Sequence, residues 1–547
     1  MDLGLNLSRD HIDAFVKAGI WIDRTVFDYL DDALARGPER PAITSYSGES
    51  GAKTSLSYGE LDRLSRRLAL ALINLGVEPG DVVSLQLPNW WQFNAMHLAC
   101  ARIGAITNPL MPIFRERELS YMLGFAESKV VVAPHNFRGF AYKSMIEKIR
   151  GDLPDLRHAF YVDGDGVDDF ATALLREPLE DRADAEGVLA ALRPGPNDVN
   201  EVIYTSGTTG QPKGVMHTAN STFGHLSSWI EHNRLDHDDK VFMASPLAHQ
   251  TGFLYAILQP IMLGAEVVLL DRWDAPVGVE LIQMHGCTFT MGATPFLSDI
   301  VEMPNVQKFD LSKLRIFASA GAPIPPSLVQ KAAANFSFKV LSGWGMTECA
   351  CSTICSLDDP AEMAWTSDGF PLPHTEVMVQ RPDGSPAPQG EEGLLKVRGQ
   401  PMFVGYLKKP ELHGRDADGW FDTGDQAFMH PDGYIRITGR AKDIIIRGGE
   451  NIPVVEVEDV LYRHPAVAEV AVVGIPDDRL GERGCAFVTL QPGGCLDLVG
   501  MLRYLDEIGT AKQYWPEHLE VVEAMPRTPS GKIQKFKLRE MAATFSR

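Results

Sequence analysis

A strand-like apolar segment that runs straight into a glycine- and hydroxyl-rich loop constrains this chain more than any other feature. Val202, Ile203 and Tyr204 precede the run Thr205-Ser-Gly-Thr-Thr-Gly-Gln-Pro-Lys-Gly. Glycines let backbone N–H groups turn toward a ligand, hydroxyls add further donors, and Lys213 adds a positive charge. A surface linker is the alternative, but linkers rarely follow an apolar strand with this composition. The segment therefore predicts a loop that cradles a polyphosphate.

This loop departs from a Walker A phosphate loop at two positions. A Walker A loop beginning at Gly207 needs glycine at position 212 and serine or threonine at position 214. This chain has Pro212 and Gly214 at those positions. The hydroxyl that would hold Mg²⁺ in a P-loop NTPase is therefore missing where that class requires it.

Alternating helix and strand patterns over the first 190 residues indicate an α/β fold with largely parallel sheets. Residues 58–72 have apolar positions at helical spacing, and residues 81–87 and 129–133 have the apolar runs of strands. Residues 376–438 alternate short strands with Asp-Gly turns, which predicts a small β-rich subdomain. A change in charge balance after Gly439 favours a domain boundary near 438–442.

Composition and charge exclude several classes of protein. The chain has 547 residues, of which 45% are apolar and 22% charged, and its formal net charge is −21. A charge this negative disfavours broad binding to nucleic acid or to an anionic membrane. The longest apolar run, residues 253–263, is shorter than the roughly 20 residues that span a bilayer, and the N-terminus lacks the pattern of a signal peptide. We therefore expect a cytoplasmic protein with free cysteines, no nucleic-acid partner and no transmembrane segment.

Four further segments, together with the loop, resemble the motifs of the adenylate-forming enzymes. This family includes acyl-CoA synthetases, the adenylation domains of peptide synthetases, and luciferases. The motifs occur in the family's order and cover residues from about 180 to 540. They are Gly343-Trp-Gly-Met-Thr-Glu, Trp420-Phe-Asp-Thr-Gly-Asp, Gly439-Arg-Ala-Lys-Asp-Ile-Ile-Ile-Arg-Gly-Gly-Glu-Asn-Ile and Pro526-Arg-Thr-Pro-Ser-Gly-Lys-Ile.

The resemblance implies an α/β fold with two domains. Residues 1–438 would form a large N-terminal adenylation domain, built of two α/β subdomains and a small β-barrel-like subdomain. Residues 439–547 would form a mobile C-terminal α+β domain. Rotation of that domain at the hinge residue Lys442 would exchange two half-reactions, with Gly448 and Gly449 lining the route of the thiol.

The resemblance also implies ATP, Mg²⁺ and coenzyme A as cofactors, and it names the catalytic residues. Lys532 would bridge the substrate carboxylate and the α-phosphate, and Thr347 would contact the α-phosphate. Glu348 would be the Mg²⁺ ligand, since Mg²⁺ is commonly held by one or two carboxylates with phosphate oxygens. His249 would lie near the substrate carboxylate or the thiol, and a satisfied core histidine is the alternative for this residue.

Other positions would hold the nucleotide and the acyl group. Asp425 would accept from the ribose hydroxyls with help from Arg440, and the segment 320–323 would pack against adenine. The expected ATP- and AMP-binding residues are Thr205, Ser206, Gly207, Thr208, Thr209, Gly210, Lys213, Gly321, Ala322, Pro323, Gly343, Trp344, Gly345, Met346, Asp425 and Arg440. The expected acyl-pocket residues are His249, Phe253, Gly321, Gly343 and Gly345.

These motifs favour an acid–CoA ligase that forms acyl-AMP and pyrophosphate, then acyl-CoA and AMP. Two alternatives stay open. One is a stand-alone adenylation enzyme that loads a carrier protein, and the other is a binding protein without activity. No acid stands near His249 and Gln250 to hold an ammonium group, which favours a simple carboxylic acid. The early proline at 453 and the segment 18–25 resemble cyclohexanecarboxylate–CoA ligases, so we expect an alicyclic, aromatic or short- to medium-chain fatty acid as substrate. A homodimer is one expected assembly.

Overall fold

The computed structural model describes residues 3–205, 212–321, 324–440, 445–447, 450–452, 454–477, 481–508, 510, 512–528 and 532–543. Its strands form two large mixed sheets, an antiparallel sheet and a C-terminal sheet, with helices packed on the large sheets. A large N-terminal α/β domain is thus followed by a smaller C-terminal α+β domain, as the sequence predicted.

One large sheet carries the strand that leads into the predicted phosphate loop. Its central strands are parallel, whereas the strand after the loop returns antiparallel to the strand before it. Val82–Leu85 is buried along its whole length, as expected of a parallel strand between helix layers. In spatial order the strands are Gly405–Tyr406, Lys213–Thr218, Val199–Thr205, Ile106–Pro109, Val82–Leu85, Ser128–Pro134 and His158–Val162.

The second large sheet is parallel through its centre and antiparallel at both edges. In spatial order its strands are Phe370–Pro371, Ala350–Ile354, Lys339–Met346, Ile316–Ala320, Phe289–Gly292, Lys240–Met243, Glu266–Leu270, Pro41–Tyr46 and Lys53–Ser57. Ligands of α/β proteins bind beyond the carboxyl ends of parallel strands. The turns after Ala320 and Met346 are therefore well placed for a site. A short hairpin, Asn136–Phe137 with Phe140–Ala141, stands apart from both sheets.

Helices fill the space between the two large sheets and cover their outer faces. The predicted helix at 58–72 is confirmed as Tyr58–Asn74, and local chemistry explains where it begins. Ser57 Oγ accepts from the Glu60 N–H at 3.2 Å, and the Glu60 carboxylate accepts from the Ser57 N–H at 2.8 Å, which forms a capping box. The α-helices of this part are Arg9–Lys17, Val26–Arg36, Tyr58–Asn74, Trp91–Arg102, Glu116–Phe125, Tyr142–Arg150, Ala185–Leu192, Ala219–Asn233, Gln250–Phe253, Gln259–Leu263, Ala275–His285, Thr294–Val301, Pro326–Asn335 and Met363–Thr366.

The β-rich segment predicted at 376–438 forms the antiparallel sheet. Its strands are Thr375–Gln380, Gly393–Gly399, Phe421–Met429 and Ile435–Arg440. The C-terminal sheet is made of Glu450–Ile452, Ile445–Arg447, Gly481–Leu490 and Val467–Asp477, with His518–Val521 parallel to Gly481–Leu490. Helices Val454–Tyr462, Leu498–Ile508 and Lys535–Ala542 accompany it. The division of the chain at 438 and 439 stays a prediction.

A half-buried ion pair joins the antiparallel sheet to the C-terminal domain. The Arg436 guanidinium lies 3.4 Å from an Asp459 carboxylate oxygen and 3.6 Å from an Asp368 oxygen. Burial raises the pKa of Asp459 to about 6, and the charge of Arg436 opposes that rise. This contact helps to fix the orientation in which the C-terminal domain meets the site. None of the described helices is both long enough and apolar enough to cross a membrane.

Candidate active site

The predicted phosphate loop connects two paired strands of the first large sheet. Thr205 ends the strand Val199–Thr205, Lys213 begins the strand Lys213–Thr218, and these two residues are directly opposite each other. Both ends of the loop are therefore held by the sheet. Several predicted residues lie outside the described part of the chain: Ser206, Gly207, Thr208, Thr209, Gly210, Ala322, Pro323, Lys442, Gly448 and Gly449.

A tyrosine connects the lysine of the loop with the predicted metal ligand. The Tyr406 hydroxyl donates to Glu348 Oε1 at 2.8 Å, and Lys213 Nζ lies 4.8 Å from the centroid of the Tyr406 ring. Tyr406 pairs with Val215 across the sheet edge, which brings the ring alongside Lys213 and Glu348. Glu348 and Tyr406 are both buried. Burial and the Glu348 carboxylate raise the pKa of Tyr406 well above its ordinary value, so its hydroxyl remains a donor.

A buried histidine holds the turn that presents Thr347 and Glu348. His217 Nε2 donates to the Thr347 carbonyl at 2.8 Å, and His217 Nδ1 lies 3.2 Å from Ser221 Oγ. Burial lowers the pKa of His217 to about 4, so the ring is neutral near pH 7. A neutral imidazole with hydrogen on Nε2 is the form that this bond requires. The turn after Met346 is thus fixed from the neighbouring sheet.

The predicted ribose-binding carboxylate is anchored by the tryptophan of the second motif. Trp344 Nε1 donates to Asp425 Oδ2 at 2.8 Å, and both residues are buried. The Thr423 hydroxyl accepts from the Asp425 N–H at 3.1 Å. Asp425 and Arg440 are directly opposite each other on paired strands, so the two predicted ribose contacts begin from neighbouring backbone positions.

The glycines predicted at the nucleotide have two different structural settings. A Cβ atom on Gly345 would lie 1.9 Å from the Ala350 carbonyl oxygen, and one on Gly343 would lie 2.7 Å from the Thr353 carbonyl oxygen. The paired strand alone therefore requires glycine at 343 and 345. Gly321 instead has φ of +90° and no atom within 4 Å of its would-be Cβ among those described, so its backbone faces open space.

Two predicted catalytic residues that are far apart in sequence, His249 and Lys532, interact electrostatically. His249 is the N-cap of helix Gln250–Phe253, and its Nδ1 accepts from the Thr251 N–H at 3.3 Å. Desolvation lowers the pKa of His249 to about 4, and the positive charge of Lys532 contributes to this lowering. In the C-terminal domain, the Lys532 N–H donates to the Thr528 hydroxyl at 3.0 Å. The charge of Lys532, in the C-terminal domain, therefore acts on a residue of the N-terminal domain.

The helical segment that follows His249 is largely buried. A π-helical turn, Leu254–Leu258, joins Gln250–Phe253 to Gln259–Leu263, and such turns are frequent at functional sites. Phe253 has no exposed surface, and its ring meets the edge of His97 at 4.7 Å between centroids. Phe253 thus belongs to the core around the site, and its direct contact with substrate stays a prediction.

The donor chemistry at Glu348 fits Mg²⁺ as the resemblance implied. Glu348 offers a buried carboxylate whose orientation Tyr406 fixes, and Mg²⁺ takes one or two carboxylates together with phosphate oxygens and waters. Within the described ranges, no group of three or more His, Cys, Asp or Glu residues could hold a metal ion without such further ligands. Glu348 would therefore hold the metal jointly with the nucleotide.

Sequence reasoning missed Tyr406 and His217. His217 carries a weak signal, because it shares a strand face with Lys213 at alternate positions. Tyr406 carries none, since it reaches Glu348 from a strand far along the chain. Both residues orient Thr347 and Glu348 from the strands beside the phosphate loop.

Comparison with known proteins identifies the family. The sequence profile of the AMP-binding enzyme family matches residues 30–407, and that of the AMP-binding enzyme C-terminal domain matches residues 456–532. The chain belongs to the AMP-binding enzyme family. This membership confirms the predicted enzyme class, an AMP-forming acyl-CoA synthetase.

Individual proteins and structures match this chain over nearly its whole length. The medium-chain fatty-acid–CoA ligase of Escherichia coli (strain K12) is 36% identical over 544 residues, which cover 99% of this chain and 94% of that protein. The salicyl-AMP ligase / salicyl-S-ArCP synthetase of Mycobacterium tuberculosis is 32% identical over 531 residues, covering 96% and 92%. The crystal structure of ATP-bound MatB from Rhodopseudomonas palustris matches with a TM-score of 0.82 at 27% identity, covering 96% and 100%.

Proposed function

We propose that this enzyme activates a medium-chain, aromatic or alicyclic carboxylic acid with ATP and Mg²⁺ and transfers the acyl group to coenzyme A. The observation that carries the proposal is the hydrogen bonding of two carboxylates predicted at the nucleotide: Tyr406, whose ring lies beside Lys213, donates to Glu348, and Trp344 donates to Asp425. The similarity to the E. coli medium-chain fatty-acid–CoA ligase over 99% of the chain supports this class of substrate.

In the first half-reaction a substrate carboxylate oxygen attacks the α-phosphorus of ATP, and pyrophosphate leaves. The reacting groups are all anionic, so positioning and charge stabilisation carry most of the catalysis. Lys213 would neutralise part of the negative charge of the leaving pyrophosphate. Lys532 would do the same for the α-phosphate and the attacking carboxylate. Because His249 is neutral, it does not compete with Lys532 as a positive charge. Mg²⁺, held by Glu348, would supply further neutralisation of phosphate charge.

In the second half-reaction the thiolate of coenzyme A attacks the acyl carbonyl carbon, and AMP leaves with the bonding electrons. Lys532 has no phosphoryl transfer to assist in this step. The predicted hinge at Lys442 would let the C-terminal domain turn Lys532 away and bring Gly448 and Gly449 to the thiol route. The Arg436–Asp459 ion pair would then have to break.

Loading of a carrier protein is the second candidate for the acceptor. The similarity to the M. tuberculosis salicyl-AMP ligase / salicyl-S-ArCP synthetase favours it, because that protein is named for an aryl carrier protein. The sequence has no acid next to His249 and Gln250 along the chain, and the simple carboxylic acid that this favours as substrate is compatible with both acceptors.

A pyrophosphate-release screen tests the proposal. The purified enzyme is given Mg²⁺, ATP and benzoate, salicylate, cyclohexanecarboxylate or fatty acids of increasing length, with coenzyme A, with a phosphopantetheinylated carrier protein, or with neither. We expect release with medium-chain or cyclic acids and acyl-CoA only when coenzyme A is present. Absence of pyrophosphate with every acid contradicts acid activation, and an acyl-carrier product without acyl-CoA contradicts the assignment of the acceptor.

A further inference from the structure

A buried carboxyl group lies behind the acyl end of the site. Glu201, on the strand Val199–Thr205, has no exposed surface, and Gln250, the residue after His249, is also buried. Gln250 Nε2 donates to Glu201 Oε1 at 3.3 Å. The pair therefore ties the strand that leads to the phosphate loop to the turn that carries His249.

Two oxygen atoms of this pair have no hydrogen-bond partner in the described part of the chain. They are Glu201 Oε2 and Gln250 Oε1, and both are buried. An ionised carboxylate can only accept hydrogen bonds. The charged form of Glu201 would therefore leave its own Oε2 and the Oε1 of Gln250 unsatisfied. A protonated carboxyl group has one O–H, and donation of this O–H to Gln250 Oε1 satisfies both side chains at once.

The groups that face Glu201, as far as the structure describes them, supply no positive charge. His217 is opposite on the antiparallel strand, and Thr107, bonded to His97, is opposite on the parallel strand. Burial lowers the pKa of His217 to about 4 and that of His97 to about 3, so both rings are neutral near pH 7. Burial that no nearby cation offsets raises the pKa of Glu201 to about 8.

We propose that Glu201 is a positioning residue whose protonated carboxyl group forms an acid–amide pair with Gln250 and thereby holds His249 at the acyl end of the site. His249 caps the helix that begins at Gln250, so a displaced Gln250 displaces the imidazole. A neutral acid also avoids a second negative charge behind the substrate carboxylate, where repulsion would be strong in a poorly solvated site. This inference rests on the proposed function.

Kinetics of three variants test the pairing, with Gln250→Glu alone as the reference for the double variant. Glu201→Gln keeps two hydrogen bonds as an amide–amide pair, Glu201→Leu removes them, and the double variant E201Q/Q250E restores an acid–amide pair with the partners exchanged. We expect E201Q to hold KM for the acid within about threefold of the wild type at pH 7. We expect E201L to raise that KM about tenfold with KM for ATP unchanged, and E201Q/Q250E to recover most of the loss caused by Q250E alone.

The pH dependence separates this role from a merely structural one. Between pH 7 and 9 the wild-type KM for the acid should rise about tenfold as Glu201 ionises. The KM of E201Q for the acid should not show this rise over the same pH range. Equal pH profiles for the two enzymes, or an E201Q defect as large as that of E201L, would overturn the inference.

Infrared spectroscopy gives a readout that needs no substrate. The wild-type minus E201Q difference spectrum at pH 7 should contain the C=O band of a protonated carboxyl group. The matched control, wild type minus Glu266→Gln, should lack it, because Glu266 is also buried but lies 3.1 Å from Lys240 Nζ. A missing band in the first spectrum refutes the pairing even if E201L does not fold. An enzyme that shows the band but activates no acid contradicts the proposed function instead.

Discussion

Replacing Glu201 by glutamine should stabilise this protein at neutral pH, although it removes a buried carboxyl group that accepts a hydrogen bond from Gln250. Burial raises the pKa of Glu201 from its ordinary 4.5 to about 8. Between these values the folded protein keeps a proton that the unfolded chain releases, so wild-type stability falls as the pH rises through this window. Each pH unit within this window lowers the free energy of unfolding by ~1.4 kcal/mol, which amounts to about 3 kcal/mol at pH 7 and about 4 kcal/mol at pH 8. Glutamine does not titrate and escapes this cost.

The assay is the urea midpoint of the two proteins, followed by tryptophan fluorescence at pH 5, 6, 7 and 8. The stability of E201Q relative to the wild type should be lowest at pH 5 and should increase up to pH 8. Any effect of the new amide that does not depend on pH adds the same amount at every pH. Glu266→Gln serves as the control, because Glu266 is also buried but lies 3.1 Å from Lys240 Nζ, so the effect of its replacement should not follow this pH course. A difference between wild type and E201Q that stays level from pH 5 to pH 8 would show that the buried carboxyl group does not hold its proton.

Three further substitutions test the site. Tyr406→Phe removes a hydrogen bond to the Glu348 carboxylate that is worth about 1.5–3 kcal/mol. It should lower kcat/KM for Mg-ATP about 10- to 100-fold and leave KM for the acid unchanged. Pyrophosphate exchange at varied ATP concentration measures this effect, and an equal change in KM for the acid would contradict it. Lys532→Ala should slow acyl-AMP formation about 10²- to 10³-fold but spare thioester formation from supplied acyl-AMP; equal loss in both assays would refute the division of labour. Asp425→Ala should raise KM for ATP about tenfold, and an unchanged value would count against a ribose contact.

The sequence predicted the parts of the fold that local chemistry determines. The capping box at Ser57 and Glu60 marks the start of a helix within four residues of chain, and the strand before Thr205 is visible from its apolar run. The motifs predicted Glu348 and Asp425 as neighbours of the nucleotide because the resemblance carries spatial information that periodicity does not. The structure adds that Asp425 is oriented by Trp344, a residue of a different motif.

Contacts between distant strands could not be predicted in this way. Tyr406 reaches Glu348 only because a short edge strand joins the sheet beside the phosphate-loop strands. Glu201 looks in sequence like an ordinary polar residue in a strand. Its buried partner Gln250 is the first residue of the helix that follows His249, and it lies 49 positions further along the chain. Local patterns report burial and turn chemistry, whereas these pairings depend on which strands and turns the whole fold brings together.

The motif that ends in Glu348 combines residues with a structural role and a residue predicted to bind the nucleotide and its metal ion. Its two glycines, at 343 and 345, are required by the close approach of the next strand, and Trp344 between them donates to Asp425. The backbone constraints of this hairpin therefore also set the position of the turn that bears Glu348. Because a neighbouring strand fills the space beside both glycines, a ligand can approach this segment only from its other side or at its end. The nucleotide contact expected of the motif is thus best attributed to Glu348 and its turn, and the glycines contribute by allowing the strands to meet.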